Sequence, residues 1–407
     1  MIAASTRHAS SASAPLREIF LAFLRLGVTS FGGPIAHLGY FRTEFVERRR
    51  WLDETAYADL VALCQFLPGP ASSQVGFSLG LLRGGLAGAL AAWVAFTLPS
   101  AALLFAGAIG SGALTGPLAA GLLHGLKLVA VAVVAQAIWG MARALAPDRE
   151  RAAIALGAIA IVVFAGGSVG QIAAILLGAL AGLWLCRDDG DPAPAAGPAR
   201  FPVSRASGAA ALALFAALLL APPLLARWTG DAAVGLFDAF YRSGALVFGG
   251  GHVVLPLLRA AVVQPGWVTD AAFLSGYGLA QAVPGPLFAF AAYLGALAGQ
   301  APNALTGAAI GLAAIFLPGL LLVYGTLPFW DALRRRPAAR AAMRGTNAAV
   351  VGILGAALYS PVWTSAVLAP RDFLLALAGF LLLTVWKLPS WTVVLPLAAG
   401  GMLAESL

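Results

Sequence analysis

The sequence predicts an all-α integral membrane protein made of two homologous, inverted-topology repeats with broken or re-entrant helices. Three observations carry that prediction: an apolar composition, a unit written twice, and an excess of helix breakers. Hydrophobic residues fill 60% of the 407 positions and charged residues only 10%, against roughly 25% charged in an ordinary globular protein. So few charges cannot cover the surface of a soluble chain of this length, so the bilayer must solvate most of it. The 48 glycines and 25 prolines exceed what straight spanning helices need, and broken backbone at membrane depth is tolerated only where protein or a watery cavity surrounds it.

The duplication is read from ordered, dissimilar residues. RLGVTSFGGP at 25–34 returns as RSGALVFGGG at 242–251, and WLDETAYADLVALCQFLPGP at 51–70 returns as WVTDAAFLSGYGLAQAVPGP at 267–286. SLG at 78–80 matches YLG at 293–295, FTLPS at 96–100 matches IFLPG at 315–319, and HGLK at 124–127 matches RGTN at 344–347. Shared leucine and alanine would mean little, but Arg, FGG, Trp and QxxPGP in one order mark an internal repeat.

Segment lengths then give the elements. Residues 1–16 read as a disordered tail that carries no secretory signal, because the first apolar stretch already holds Arg17, Glu18 and Arg25. The first repeat covers 17–186, a charged Pro/Gly-rich cytoplasmic linker 187–205, a connecting transmembrane helix 206–226, and the second repeat 227–407. Single spans are expected at 85–108, 117–143, 206–226, 303–326 and 339–360. The remaining segments come as short pairs: 17–31/35–47, 54–67/71–82 and 152–165/169–185, then 233–248/252–264, 271–283/287–299 and 372–386/390–403. A helix of about 14 residues rises about 21 Å, short of a roughly 30 Å core, so these pairs read as re-entrant hairpins or short tilted helices.

Charge supplies orientation. In the first copy Arg48, Arg49, Arg50, Arg83, Arg143, Arg149 and Arg151 fall on one side, whereas in the second copy the loop between the long helices carries Arg334, Arg335, Arg336 and Arg340. The positive-inside rule places the copies upside down relative to each other, with a cytoplasmic N-terminus. Paired inverted repeats with broken helices are the signature of secondary transporters.

The candidate chemistry sits at the breaks. Pro68-Gly69-Pro70 ends one helix and starts the next, leaving the N–H groups of the first turn free beside Ser72 and Ser73, which is a good anion site. Pro284-Gly285-Pro286 keeps the backbone donors but is followed by Leu287, Phe288 and Ala289, so the first copy is expected to make more of the polar contacts. Thr29, Ser30, Gly32 and Gly33 form the companion break, with Gly249, Gly250 and Gly251 as its counterpart. N–H groups after Gly33, Pro70, Gly250 and Pro286 are expected to cradle an anion's oxygens. Arg25 and Arg242, each six residues before its FGG break and inside an apolar segment, are expected to be cationic anchors without acidic partners. Lys127, with Asn347 as its neutral counterpart, is a further candidate, and Gln65 and Gln281 stand three residues before each PGP as amide donors. His37, Glu44, Asp59 and His252 are candidates for coupling or gating. Bland readings compete throughout: PGP as a plain turn, glycines for close packing, snorkelling arginines, glutamines as interhelical bonds, and a solvated face for the 42–54 charge cluster.

The net charge of +8 rests on 23 arginines and two lysines, but no basic run is interleaved with aromatics, so nucleic-acid binding is not expected. Cys64, Cys186 and the scattered His8, His37, His124 and His252 form no metal spacing or nucleophile–base pair, which argues against an embedded reductase or hydrolase and against any cofactor.

The stretch SFGGPIAHLGYFRTEFVERRRWL with QFLPGPASSQ, and its counterpart FGGGHVVLPLL with QAVPGP, resembles the chromate ion transporter family in its long two-domain form, from about residue 17 to 403. The resemblance implies export of chromate, an oxyanion isosteric with sulfate, across a bacterial inner membrane by a multi-pass protein. The family's short forms, which work as two chains, extend the expectation to a homodimer. A sulfate or other oxyanion importer and a passive anion channel remain as alternatives from the residues alone.

Overall fold

A computed structural model describes residues 13–31, 33–111, 117–165, 167–186, 201–248, 253–330, 332 and 336–406. Among these the chain is helical, with no strand. Helix α1 (Ser13–Thr29) is followed by α2 (Gly33–Phe41), which runs on as a π-helical stretch to Arg48. Next come α3 (Glu54–Phe66), α4 (Ala71–Ser111), α5 (Pro117–Leu145), α6 (Arg149–Ala165) and α7 (Gly167–Leu185). Helix α8 (Arg205–Thr229) follows, then α9 (Ala232–Ala245), α10 (Val254–Leu258) with a π-helical extension to Val263, and α11 (Asp270–Ala282). The chain closes with α12 (Phe290–Leu297), α13 (Ala304–Thr326), α14 (Pro337–Ala357), α15 (Pro370–Thr384) and α16 (Ser390–Ser406).

Five helices among the described residues are long and apolar enough to cross a membrane, at Ala71–Gly110, Leu118–Leu145, Arg205–Thr229, Ala304–Phe329 and Pro337–Ala366. Four of them overlie the expected spans 117–143, 206–226, 303–326 and 339–360, while Ala71–Gly110 joins the expected span 85–108 to the expected short segment 71–82. The first boundary differs: α1 starts at Ser13, inside the stretch assigned to the tail, because Ser13–Leu16 continue the helical register that packs Ile19 and Phe23. Residues 1–12 lie outside the described residues, as do 187–200 of the expected linker.

Local chemistry explains the joints. Asp53 and Thr269, at matching places before α3 and α11, cap their helices by accepting from the N–H of Ala56 and Ala272. α4 is two helices folded at Gly84 (φ −138°, ψ 21°) and Gly85 (φ 59°, ψ −157°). The fold is tight enough to bring Gly80 against the backbone of Gly88. The second limb therefore runs back alongside the first, and Thr97 and Ser100 return to the level of the PGP turn.

Each half completes the other. α1 packs on α4 and α9 on α13, but α6 and α7 lie on α14, while α15 and α16 lie on α5. α16 meets α5 where a Cβ on Gly125 would stand 2.5 Å from the Leu397 carbonyl oxygen, an approach only hydrogen at that position permits. The apolar core is continuous through these contacts and holds Phe23, Phe41, Phe45, Phe96, Phe240, Phe288 and Phe316.

Candidate functional site

The two PGP turns seat on opposite halves. Gly69 takes φ +126° and donates its N–H to the Val247 carbonyl at 2.7 Å, while Gly285 takes φ +96° and donates to the Ser30 carbonyl at 2.9 Å. Ser30 and Val247 occupy equivalent places in the duplicated RxGxxxFGG motif. Only a residue without a side chain adopts such φ values freely, which accounts for glycine between the prolines.

Around the first turn lies a buried polar cluster. Gln74 Nε2 donates to the carbonyls of Pro68 and Gly319, both at 3.0 Å. Those two acceptors fix the amide's orientation, so Oε1 is the end left without a partner. His37 is fully buried, its Nε2 3.2 Å from the Ser30 carbonyl, its Nδ1 3.4 Å from Ser72 Oγ, and its ring edge-on to Phe96 at 5.2 Å. A carbonyl only accepts, so Nε2 carries the hydrogen. Ser30 Oγ, Ser73 Oγ, Gln74 Oε1, Ser78 Oγ and Thr97 Oγ1 are all buried with no hydrogen-bond partner among the described residues. Leaving a polar atom in that state costs about 1–3 kcal/mol, so five such atoms on α4 and the FGG break are unusual for a merely structural core. The N–H groups of Ala71, Ser72 and Ser73 precede the first intrahelical bond of α4, from Gln74 N to the Pro70 carbonyl, and add donors to the same place.

Other expected residues fall elsewhere. Arg25 is exposed on α1, on one face with Leu21, Val28 and Thr29, and makes no ion pair among the described residues. Thr29 Oγ1 donates to the Arg25 carbonyl at 2.8 Å and is spent there. Arg242 is not the unpaired anchor expected: its Nε donates to Asp238, one helical turn earlier, at 2.7 Å. Gln65 is exposed, whereas Gln281 is buried with Nε2 unpartnered among the described residues. Lys127 is half-buried on α5, next to Leu126, whose backbone packs on Gly278 of α11; the Oδ1 of Asn347 is buried without a partner among the described residues. Pro284 and Pro286 are buried in the second turn, and Gly33 opens α2 at φ +77°. Gly32, Gly249, Gly250, Gly251 and His252 lie outside the described residues.

The proposed gating acids are engaged. Asp59 is buried and accepts from Trp330 Nε1 of the other half at 3.2 Å. Glu44 accepts from Arg49 at 2.7 Å and Arg48 at 3.5 Å, while Arg42 bridges Glu47 and Glu54 on the exposed face read from the charge run. Burial opposes ionisation of Glu44, but the bonds and charges of Arg49 and then Arg48 outweigh it and hold the carboxyl below its ordinary value. A folded-state pKa that is lowered stabilises the fold above the unfolded value, and that stabilisation disappears as pH falls through the folded one. Purified protein is expected to lose thermal stability on acidification below the carboxylate range. Glu44→Gln should lower neutral-pH stability by about 1–3 kcal/mol and flatten that acid slope; parallel slopes in the two proteins would show the pairing to be inert.

Sequence reasoning weighed charges first and so passed over Gln74, Ser78, Thr97 and Ser100. A usable signal was there: four polar residues in otherwise apolar spans, two of them in the FTLPS motif. It also passed over Asp372, which caps α15 through the N–H groups of Leu368 and Ala369 and holds His124 at 3.0 Å.

Helices long enough to cross a bilayer mark a multi-pass membrane protein, and its family and relatives make it a transport protein rather than an enzyme. The chain belongs to the chromate transporter family, whose model matches residues 17–183 and again 234–404. It is 29% identical to a chromate transport protein of Cupriavidus metallidurans, over 96% of this chain and 94% of that one. It is 30% identical to a chromate transport protein of Pseudomonas aeruginosa, over 94% and 90%. A probable chromate transport protein of Synechococcus elongatus is 28% identical, over 92% and 90%. No solved structure matches the chain.

Proposed function

We propose that the protein is a secondary transporter that exports chromate from the cytoplasm and binds its anion where the two PGP turns meet the opposite hairpins. The observation that carries this reading is the reciprocal seating of Gly69 on Val247 and of Gly285 on Ser30. Such an exchange is what two copies related by a two-fold axis in the membrane plane would make, and sites at the midplane of inverted repeats are where secondary transporters hold substrate. The arginine-rich 48–50 segment and the linker then face the cytoplasm with the N-terminus. The names of the relatives supply chromate; the free helix N-terminus supports an oxyanion of that kind. Uptake of radioactive chromate into everted vesicles should be saturable and competed by sulfate to a measurable degree. Sulfate uptake without chromate uptake would replace export of chromate by sulfate transport, and flux that never saturates would replace it by a channel.

A further inference from the structure

We infer that the anion site is one-sided and uncharged: it is built from hydroxyls and backbone N–H groups of the first half only, while the mirror position in the second half is an aromatic plug. This rests on the export reading above and narrows its site. Ser30, Ser73, Ser78 and Thr97 bring four buried hydroxyls that bond to nothing among the described residues; Ser73 belongs to the free first turn of α4, Ser78 lies further along the same helix, and Thr97 is on its returning limb. Hydroxyl hydrogens rotate, so these groups turn toward an anion as it enters without moving the backbone. Gln74 Nε2 is held by the Pro68 and Gly319 carbonyls, so Oε1 stays an acceptor in a fixed position and keeps an anion's oxygen from that position. Neither Arg25, exposed on α1, nor Arg242, held by Asp238, is hydrogen-bonded to this cluster.

The repeat gives an internal control. By the duplicated motifs Ser30 corresponds to Val247, Ser72 to Phe288, Ser73 to Ala289, Gln74 to Phe290, Ser78 to Tyr293 and Thr97 to Phe316. The second set is buried and packed ring against ring, with Phe288 and Phe316 at 5.7 Å and Phe290 and Tyr293 at 5.9 Å. At these mirrored positions the unpartnered hydroxyls of the first half are thus replaced by aromatic packing, while the second half's unpartnered amides, Gln281 Nε2 and Asn347 Oδ1, lie outside the mirrored set. One tetrahedral oxyanion, not two, fits such an arrangement.

Ser73→Ala and Thr97→Val remove unpartnered hydroxyls, which separates binding from folding, because a hydroxyl without a partner contributes nothing to the empty fold. Each variant, and Ser78→Ala as a third, is purified at full length, its melting temperature is read with and without chromate, and its chromate KM is measured in proteoliposomes. Expected are an unchanged or higher melting temperature without chromate, loss of chromate-induced stabilisation, and KM raised at least tenfold. Ser243→Ala, whose hydroxyl bonds to the Ala239 carbonyl at 2.7 Å, should keep the wild-type KM. Wild-type KM in the three variants, or a lower melting temperature of the empty protein with unchanged KM, would overturn the one-sided site while leaving export intact. Absence of chromate flux in the wild type would instead overturn the export reading itself.

Discussion

Replacing Gly69 by alanine is expected to abolish chromate flux and destabilise the protein, and the same change at Gly285 to do both less severely. At both positions φ lies well into the positive range, +126° and +96°, and holding an ordinary residue there costs about 1–3 kcal/mol. The surroundings separate them. A Cβ on residue 69 would stand 2.9 Å from Gly319 Cα and 2.9 Å from Gln74 Nε2, so relief requires moving backbone that belongs to the other half. A Cβ on residue 285 would meet Ser100 Oγ at 2.9 Å, a side-chain end that can rotate away, and beyond it Ser100 Cβ at 3.2 Å and the Phe96 carbonyl oxygen at 3.3 Å, contacts looser than the backbone one at residue 69. Overpacking adds about 1–3 kcal/mol where nothing yields, so Gly69→Ala should be the worse by about that amount. Thermal denaturation of the two variants with parallel flux assays checks the order. Equal losses would mean that φ alone governs both turns.

The second large effect is electrical. A dianion leaving an inside-negative cell gains about 2.3 kcal/mol per charge per 100 mV, which for two charges is about three decades of concentration ratio at 1.4 kcal/mol per decade. A site of neutral donors leaves that charge uncompensated during transit, so export without a counter-ion should carry current. Proteoliposomes clamped by a potassium gradient and valinomycin should accumulate chromate about a thousandfold per 100 mV. Accumulation indifferent to the imposed potential would require obligatory exchange for another anion or for protons, and would remove the electrogenic reading.

Much of the fold was legible because breakers are local. Pro-Gly-Pro and Gly-Gly act on their own few residues, so many helix ends could be read within a turn, while the Asp53 and Thr269 caps came to light only in the structure. The faces of the helices were less legible. Ile19, Phe23, Leu26 and Ser30 point inward while Leu21, Arg25, Val28 and Thr29 point outward, and the choice between the two sets depends on where α4 packs, which no spacing within α1 encodes. Arg25 was accordingly expected in the interior. Arg242 is a different case, since Asp238 stands at i−4 and the ion pair was readable from spacing alone. Ser30, Ser72 and Ser73 were legible because they stand at the breaks, whereas Ser78, Ser100 and Thr97 were hard to see because an isolated hydroxyl in a span ordinarily bonds back to its own helix. Only the tertiary packing reveals those left over.

The exchanged placement of the last helices bears on how the molecule comes into being. α6 and α7 rest on α14, and α15 and α16 rest on α5, so the chain emerging from the ribosome cannot finish its first half when that half is made. Its late helices wait in the lipid, their glycine-lined seams open, until α14 is inserted much later. The final pair then closes on a helix completed long before. Assembly is thus an interlocking of two unfinished bodies rather than a docking of two finished ones.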